Sequence, residues 1–309
     1  MKSSMMKKFK SILGLLKVLP SEQACIKHFE KLRWNGIIIS PYDPNSKVYK
    51  CANNRYKCKN TGKYFNVKTG TVFESSKIPL RDWFYVLYIF VNHKGGISSH
   101  QLARDMKITQ KSTWFMLHRL RLGFECPIFK TMLKGIVEMN ETFIGGKNKN
   151  RHWDKKAPRC QGRNWKDKIP VWGAIERGGN LIVKAVPNTQ RKTLEKVIRE
   201  NIKEGSTVNT DEYKVYNNLH KWFKHQRINH SAKQYAKGDV SVNAIESFWN
   251  FPKRGIYGTY YHISRKHAQK YMDEFALRFN ARKYNGEDRF NLVLSSVVGK
   301  RLTYQQLIN

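Results

Sequence analysis

Acidic residues are scarce in this chain. Its 309 residues carry 23 Asp and Glu against 58 Lys and Arg, a formal net charge of +35 at pH 7. A surface so short of negative charge repels copies of itself and attracts polyanions, which puts nucleic acid first among its partners. Charge alone does not separate DNA from RNA. Long apolar runs are missing as well: none is long enough to span a bilayer, so no membrane partner is expected. The opening MKSSMMKKFKSILGLLKVLP places Lys17 inside its apolar stretch and has no small-residue cleavage site behind it. It reads as an amphipathic helix carrying Ile12, Leu15, Leu16, Val18 and Leu19, not as a secretory leader. The five cysteines (Cys25, Cys51, Cys58, Cys126, Cys160) are odd in number and irregularly spaced. They supply no disulfide framework and point to a reducing cytoplasm. Repeats and low-complexity tracts are absent. What is present is globular composition, 40% hydrophobic and 13% aromatic, with length for two or three compact units.

Residues 11–34 read as one or two helices, with Pro20-Ser21 between them and Ser21 as a cap. Residues 37–75 change to short strands and turns. Between Asp43 and Glu74 lie seven basic residues (Lys47, Lys50, Arg55, Lys57, Lys59, Lys63, Lys68), no acidic one, and the aromatics Tyr49, Tyr56, Tyr64 and Phe65. A small sheet with a one-signed face suits phosphate contact. Residues 79–125 are helical: Trp83, Phe84, Leu87, Tyr88 and Val91 form a broad apolar stripe. Ser98 or Ser99 then caps a short helix, and a turn at 106–108 leads to Thr109, which caps a second. The pair fits a helix-turn-helix whose second helix offers Gln110, Lys111, Ser112, His118, Arg119 and Arg121 to DNA. Residues 132–309 form the largest unit. Strands are expected at 137–144, 170–176, 181–186, 208–211 and 226–230, and helices at 193–203, 243–253 and 267–283. The stretch from Lys147 to Lys168 is expected as a loop, with nine basic and two acidic residues.

Chemistry concentrates between Asp211 and Lys253. Asp211 ends a strand and Glu246 sits on a later helix, an arrangement used to hold divalent metal for phosphodiester chemistry. Taken singly, Glu246 reads as an exposed helical Glu and Asp211 as a cap ahead of Tyr213. A third carboxylate belongs on an earlier strand, and in GIVEMNETFIGG that position is Asn140.

These ordered segments (NVKTGTVFE, VEMNETFIGGK, TDEY, INHSAKQY, VNAIESFWNFPKRGIYGTYYHIS and YMDEFALRFNARKYN) resemble the DDE transposases of bacterial insertion sequences, the ISXO-type group, over nearly the whole chain. The resemblance implies a zinc ribbon and a helix-turn-helix region ahead of a ribonuclease-H-like α/β domain with a mixed five-stranded sheet. Its DNA partners would be the element's terminal inverted repeats and target DNA, held by a homo-oligomer associated with the nucleoid. Asp211 matches the second catalytic Asp, Glu246 the final carboxylate, and Lys253 the backbone-holding Lys two turns along the same helix face. Asn243 and Arg254 would touch DNA nearby, with Lys57, Lys59 and Lys63 contributing from the ribbon. In this family the carboxylates hold two Mg²⁺ or Mn²⁺ ions for strand cleavage and transfer.

Two departures stand out. Asn140 replaces the first catalytic Asp, and an amide brings no charge to a metal pair that depends on anionic ligands. Glu138 shares its strand face and is the candidate substitute, whereas Glu141 points the other way. In the ribbon, Ser40-Pro41-Tyr42-Asp43 and Cys58-Lys59-Asn60-Thr61 stand where paired cysteines are expected. Only Cys58 keeps a ligand position, Asp43 is a weak oxygen substitute, and Cys51 reads as packing. Structural zinc takes four N or S ligands, so no tight zinc site is expected. A sheet this small rarely has enough core to stand unaided. The expectation is a transposase of impaired activity, the alternative a non-catalytic protein occupying element ends, and the third reading a general polyanion binder. His225, His230 and His262, near the site segments, read as hydrogen-bonding or DNA-contacting residues.

Overall fold

The computed structural model describes residues 9–146, 148–150, 152–156, 158, 168–228, 236–237 and 240–309. Cys160, His230 and most of the basic loop after Gly146 lie outside the described residues. Two compact units emerge: residues 1–126 with 281–309, and residues 127–280. Among the described residues no helix is long and apolar enough to cross a membrane.

The first unit begins with α1 (Ile12–Val18) and α2 (Glu22–Trp34), each opened by a serine whose side chain accepts a backbone N–H, the usual way to satisfy a helix start. A three-stranded antiparallel sheet follows: β1 (Val48–Cys51), β2 (Arg55–Cys58) and β3 (Tyr64–Phe65). Its inner residues Tyr56 and Phe65 set their rings 5.6 and 6.2 Å from that of Trp34. The Tyr56 hydroxyl donates to Glu30 at 2.7 Å, and Arg33 Nη1 donates to the Val67 carbonyl at 2.7 Å. The expectation that this sheet has too little core of its own is thus answered by α2, which backs it. Helix α3 (Leu80–Asn92) has no cap from its own N-cap, Pro79. Both oxygens of Glu22 accept from Leu80 N and Arg81 N at 2.9 Å instead. Helices α4 (Ser99–Met106) and α5 (Gln110–Gly123) follow, capped by Ser98 and Thr109 with Lys107 in the left-handed conformation between them. This is the expected helix-turn-helix path.

The second unit is built on β4 (Ile136–Ile144), β5 (Ile169–Glu176), β6 (Leu181–Ala185), β7 (Thr207–Thr210) and β8 (Lys224–Arg227). The strand order is β6-β5-β4-β7-β8. The first three are antiparallel, and β4, β7 and β8 are parallel. Alternation along the strands makes two cores. Val137, Met139, Trp172 and Val208 pack with Leu194 and Ile198 of α6 (Arg191–Asn201). Ile144, Val171, Ile175 and Val183 pack with Ile245 and Trp249 of α7 (Asn243–Gly255) and Met272 and Phe275 of α8 (Ala268–Asn280). A short hairpin, β9 (Ala236–Lys237) and β10 (Val240–Ser241), precedes α7. This mixed five-stranded α/β sheet with flanking helices is the ribonuclease-H-like fold.

The chain then returns to the first unit. Helix α9 (Gly286–Ser296) inserts Phe290 against Phe9 and Phe84, with centroids 5.5 and 5.3 Å away. Ahead of α10 (Tyr304–Ile308), Lys300 Nζ donates to the carbonyls of Leu122 and Glu125 at 2.7 and 2.9 Å. The unit expected to span 132–309 therefore stops at Asn280, because the closing helices bury their apolar faces among the N-terminal ones.

Candidate active site

The register of two neighbouring parallel strands assembles the site. Ile136, Val137 and Glu138 pair with Thr207, Val208 and Asn209. Continued by two residues, the same register sets Asn140 beside Asp211, one strand spacing of about 4.8 Å away. Both then face the side of the sheet that α7 covers, as Glu138 does. Asp211 is buried, and its Oδ1 accepts the Tyr213 N–H at 3.0 Å. This is a turn bond two residues along the chain and not the helix cap expected of Asp211 taken singly, since the helical turn Lys214–Lys221 has Tyr213 as its N-cap and no side-chain cap.

Helix α7 is fixed over these strands at two points. Its own N-cap, Val242, supplies no side-chain hydrogen bond. Glu138 does so from beneath: Oε2 accepts the Ala244 N–H at 2.8 Å, while Oε1 accepts from Ser241 Oγ at 2.9 Å and Arg177 Nη2 at 3.4 Å. A carboxylate here satisfies an open helix N–H and meets the positive end of the helix dipole. One turn on, Trp249 lies over Gly173, the cross-strand partner of Asn140. A Cβ at Gly173 would stand 2.7 Å from Trp249 Cη2, so only glycine lets the helix lie this close. Half-buried Glu246 lies between the two anchors, with exposed Asn243 one turn before it and half-buried Lys253 two turns after it. Arg254 is exposed beside Lys253.

Glu138 therefore does not stand free to replace the missing Asp. It is 4% exposed and committed to the start of α7. Glu141 points the opposite way and accepts from the Tyr216 hydroxyl. The Asn140 amide oxygen accepts the N–H of the next residue, Glu141, at 2.6 Å. Among the described residues no group of three or more His, Cys, Asp or Glu is placed to hold a metal ion. Two carboxylates and an amide do not fit the anionic set that a magnesium pair needs. Behind Asp211, Thr210 Oγ1 meets His225 Nε2 at 2.9 Å. Burial, with Arg227 and His220 nearby, pushes the His225 imidazole down to about 4, so it is a neutral hydrogen-bonding partner. His262 is exposed after the end of α7.

The helix-turn-helix residues divide. Lys111 is exposed, with its ammonium 4.7 Å from the Tyr304 ring. Gln110 Nε2 donates to Ser99 Oγ at 2.8 Å, and Ser112 bonds Thr109. His118, Arg119 and Arg121 are buried, which corrects the expectation that they face DNA. Arg119 lies between Trp83 and Phe115 and donates to the Glu74 carbonyl. Burial brings its guanidinium down to about 10. Arg121 covers Phe90, and His118 packs on Trp114. In the ribbon Lys59 and Lys63 are exposed, and half-buried Lys57 sits over Tyr64. Cys51 is half-buried at the sheet edge, not packed in its core.

Where four cysteines would be expected, Ser40, Asp43, Cys58 and Thr61 form a hydrogen-bonded knot. Burial pushes the Cys58 thiol up, but bonds from Ser40, Ser46 and Thr61 side chains and the Thr61 backbone outweigh it, bringing it from 9.0 down to about 6. Asn60 Nδ2 donates to Asp43 Oδ2 at 2.7 Å. One thiol, two hydroxyls and an engaged carboxylate do not fit structural zinc.

Sequence reasoning missed Arg177, Ser241 and Asn209. Asn209 is buried, its Nδ2 donates to the Ser241 carbonyl at 3.3 Å, and its Oδ1 has no hydrogen-bond partner among the described residues. No sequence signal set it apart, because the strand ahead of Asp211 reads Thr-Val-Asn-Thr and only Val208 in it is apolar.

The model of the ISXO2-like transposase domain family matches residues 132–280. An uncharacterized protein in transposable element ISH50 of Halobacterium salinarum is 26% identical over 302 residues, covering 92% of this chain and 99% of that protein. An uncharacterized transposase-like protein of Haemophilus influenzae is 40% identical over 96 residues, 31% of this chain and 76% of its own length. The Mos1 strand transfer complex is similar at 14% identity and a TM-score of 0.27, covering 70% of this chain and 78% of that one. A pre-cleavage Mos1 transpososome is similar at 14% and 0.26, covering 70% and 79%. These scores are too low to add to the fold argued from the sheet. The chain is a transposase: it belongs to the insertion-sequence DDE transposases of the ISXO2-like type.

Proposed function

We propose that this transposase binds DNA at the ends of its element and that its cleavage and strand-transfer chemistry is silenced at Asn140. The DNA partner follows from the charge of +35 and the exposed cations Lys59, Lys63, Lys111 and Arg254. The loss of chemistry rests on one observation. Glu138, the acid that shares the strand face of Asn140, is spent on the N-terminus of α7. Recruiting it as a ligand would uncap the helix that carries Glu246.

What remains at the site is two carboxylates, Asp211 and Glu246, and a cation, Lys253, aligned on α7 to hold a DNA backbone phosphate. The family's metal ions supply the activation of the attacking oxygen, and no step of that kind follows from the donor set present here.

The experiment is Mg²⁺- or Mn²⁺-dependent nicking and strand transfer on DNA carrying the element ends. The natural chain is compared with Asn140→Asp, with Asn140→Asp/Glu246→Gln as the control. The expected result is cleavage by Asn140→Asp alone, exceeding the natural chain by on the order of 10²–10³-fold or more, the scale of one lost preorganised electrostatic group. Comparable cutting by the natural chain would sink the proposal.

A further inference from the structure

Beyond Lys253, α7 runs into a π-helical turn, Ile256–Tyr260, and then Tyr261 at φ 59°, ψ −47°. A π turn commonly marks a functional position, and positive φ is rare for a bulky residue. The turn divides three tyrosines. Tyr260 packs inward on Tyr271 and Phe275 and donates to Glu274. Tyr257 and Tyr261 stay 49% and 80% exposed. They line a cleft of about 820 Å³ floored by Ile144, Ile169, Ile256 and Ile263.

The chemistry of this cleft is one-sided. Lys168, Arg265, His152 and His262 surround it, and among the described residues no Asp or Glu lines it, although Asp154 bonds His152 Nδ1 at the rim. Arg265 is held in place by the carbonyls of Lys168, at 2.7 Å, and Pro187, at 3.5 Å. The Tyr257 hydroxyl donates to the Gly145 carbonyl at 3.2 Å, which fixes that ring at the mouth. An apolar floor, two tyrosine rings and a cationic rim suit a flat apolar ring that carries an anionic group. In a DNA strand that is a nucleotide. Paired bases keep their faces stacked on neighbours, so only an unpaired one can offer its face here.

Its location ties the cleft to the candidate active site. Tyr257 follows Lys253 by four residues along the same helical path. Ile144 lies on the Asn140 face of β4, about 13 Å further along the strand. We propose that this cleft takes one unpaired nucleotide of the DNA strand held at Asp211, Glu246 and Lys253, stacking its base on Tyr257 and Tyr261. The inference rests on the DNA-binding reading above and adds a specificity for locally opened DNA.

The test measures binding of the full natural chain, at one fixed salt concentration, to two element-end duplexes. They differ only in one extra, unpaired 2-aminopurine nucleotide beside the element end. The expected preference for the bulged duplex is roughly 5- to 150-fold, the range of one base–aromatic stack, with quenching of the 2-aminopurine emission. Tyr257→Ala/Tyr261→Ala should bind the paired duplex as the natural chain does, but lose both preference and quenching. Tyr257→Phe/Tyr261→Phe, which keeps the rings, should retain them. Equal affinity of the natural chain for both duplexes, or a preference that survives the double alanine change, overturns the cleft while leaving DNA binding intact. Failure to bind either duplex instead overturns the DNA-binding reading, and the cleft with it.

Discussion

The ribbon knuckle and the β4 strand both carry other residues where the resemblance implies metal ligands, yet only the knuckle gathers hydrogen bonds in their place. In the knuckle, Ser40, Ser46 and Thr61 gather around Cys58, and Asn60 ties down Asp43. In the strand, Asn140 bonds back to its own neighbour, and the acid that could have stepped in holds a helix instead. The difference lies in what each site must supply. A structural metal joins loops, and hydrogen bonds can do that. A catalytic metal pair needs negative charge to bind it, and neither an amide nor a backbone N–H provides any.

The largest expected effect comes from rebuilding the knuckle. Ser40→Cys/Asp43→Cys/Thr61→Cys completes four thiolates with Cys58. It should take up one zinc by native mass spectrometry, become chelator-sensitive and gain thermal stability with zinc, since such sites bind with about 10–16 kcal/mol in small domains. The natural chain should melt at the same temperature with and without chelator. A natural chain that loses structure on chelation would break the comparison on the ribbon side.

Next comes Glu138→Ala, which strips the cap from α7 and leaves Ser241 and Arg177 without their shared partner. Denaturant titration should register a loss of about 1–3 kcal/mol, mostly from the open helix N–H and Ser241, since Arg177 is partly exposed to water. An unchanged midpoint would mean that Glu138 is free after all. Arg119→Ala should cost about as much through lost packing on Trp83 and Phe115. It should leave the salt slope of DNA binding unmoved, whereas Lys111→Ala should lower that slope by roughly one phosphate contact.

The smallest effect is a pH dependence. Cys58 sits at about 6 in the folded chain against an ordinary 9.0. Its lowered value contributes stability that is fully present above 9 and is lost as pH falls through 6. The stability difference between the natural chain and Cys58→Ala should therefore grow from pH 6 to pH 9. A difference that stays flat across that window would remove the thiolate from the account.

Much of this was legible in local sequence. The caps at Ser21, Ser98 and Thr109, the strand alternation around Val137–Ile144, and the placement of Asp211 and Glu246 on a strand end and a helix all follow from short-range patterns. The rest depends on distant partners. Polar spacing on α5 suggested an exposed face, but α5 is buried almost all round, so His118, Arg119 and Arg121 find aromatic cover within the first unit. The return of residues 281–309 to that unit depends on Phe290 meeting Phe9, across most of the chain. Nothing near Glu138 announces that it caps a helix starting more than a hundred residues later.

Asn140 leaves the site short of charge, and Mn²⁺ binding followed by electron paramagnetic resonance reads that shortage independently of any activity. Asn140→Asp should bind Mn²⁺ at least about tenfold more tightly than the natural chain, since a carboxylate brings the charge that an amide lacks, and Asn140→Asp/Glu246→Gln should lose that gain. Equal Mn²⁺ affinity in the natural chain and Asn140→Asp would mean that the site is not short of charge at Asn140.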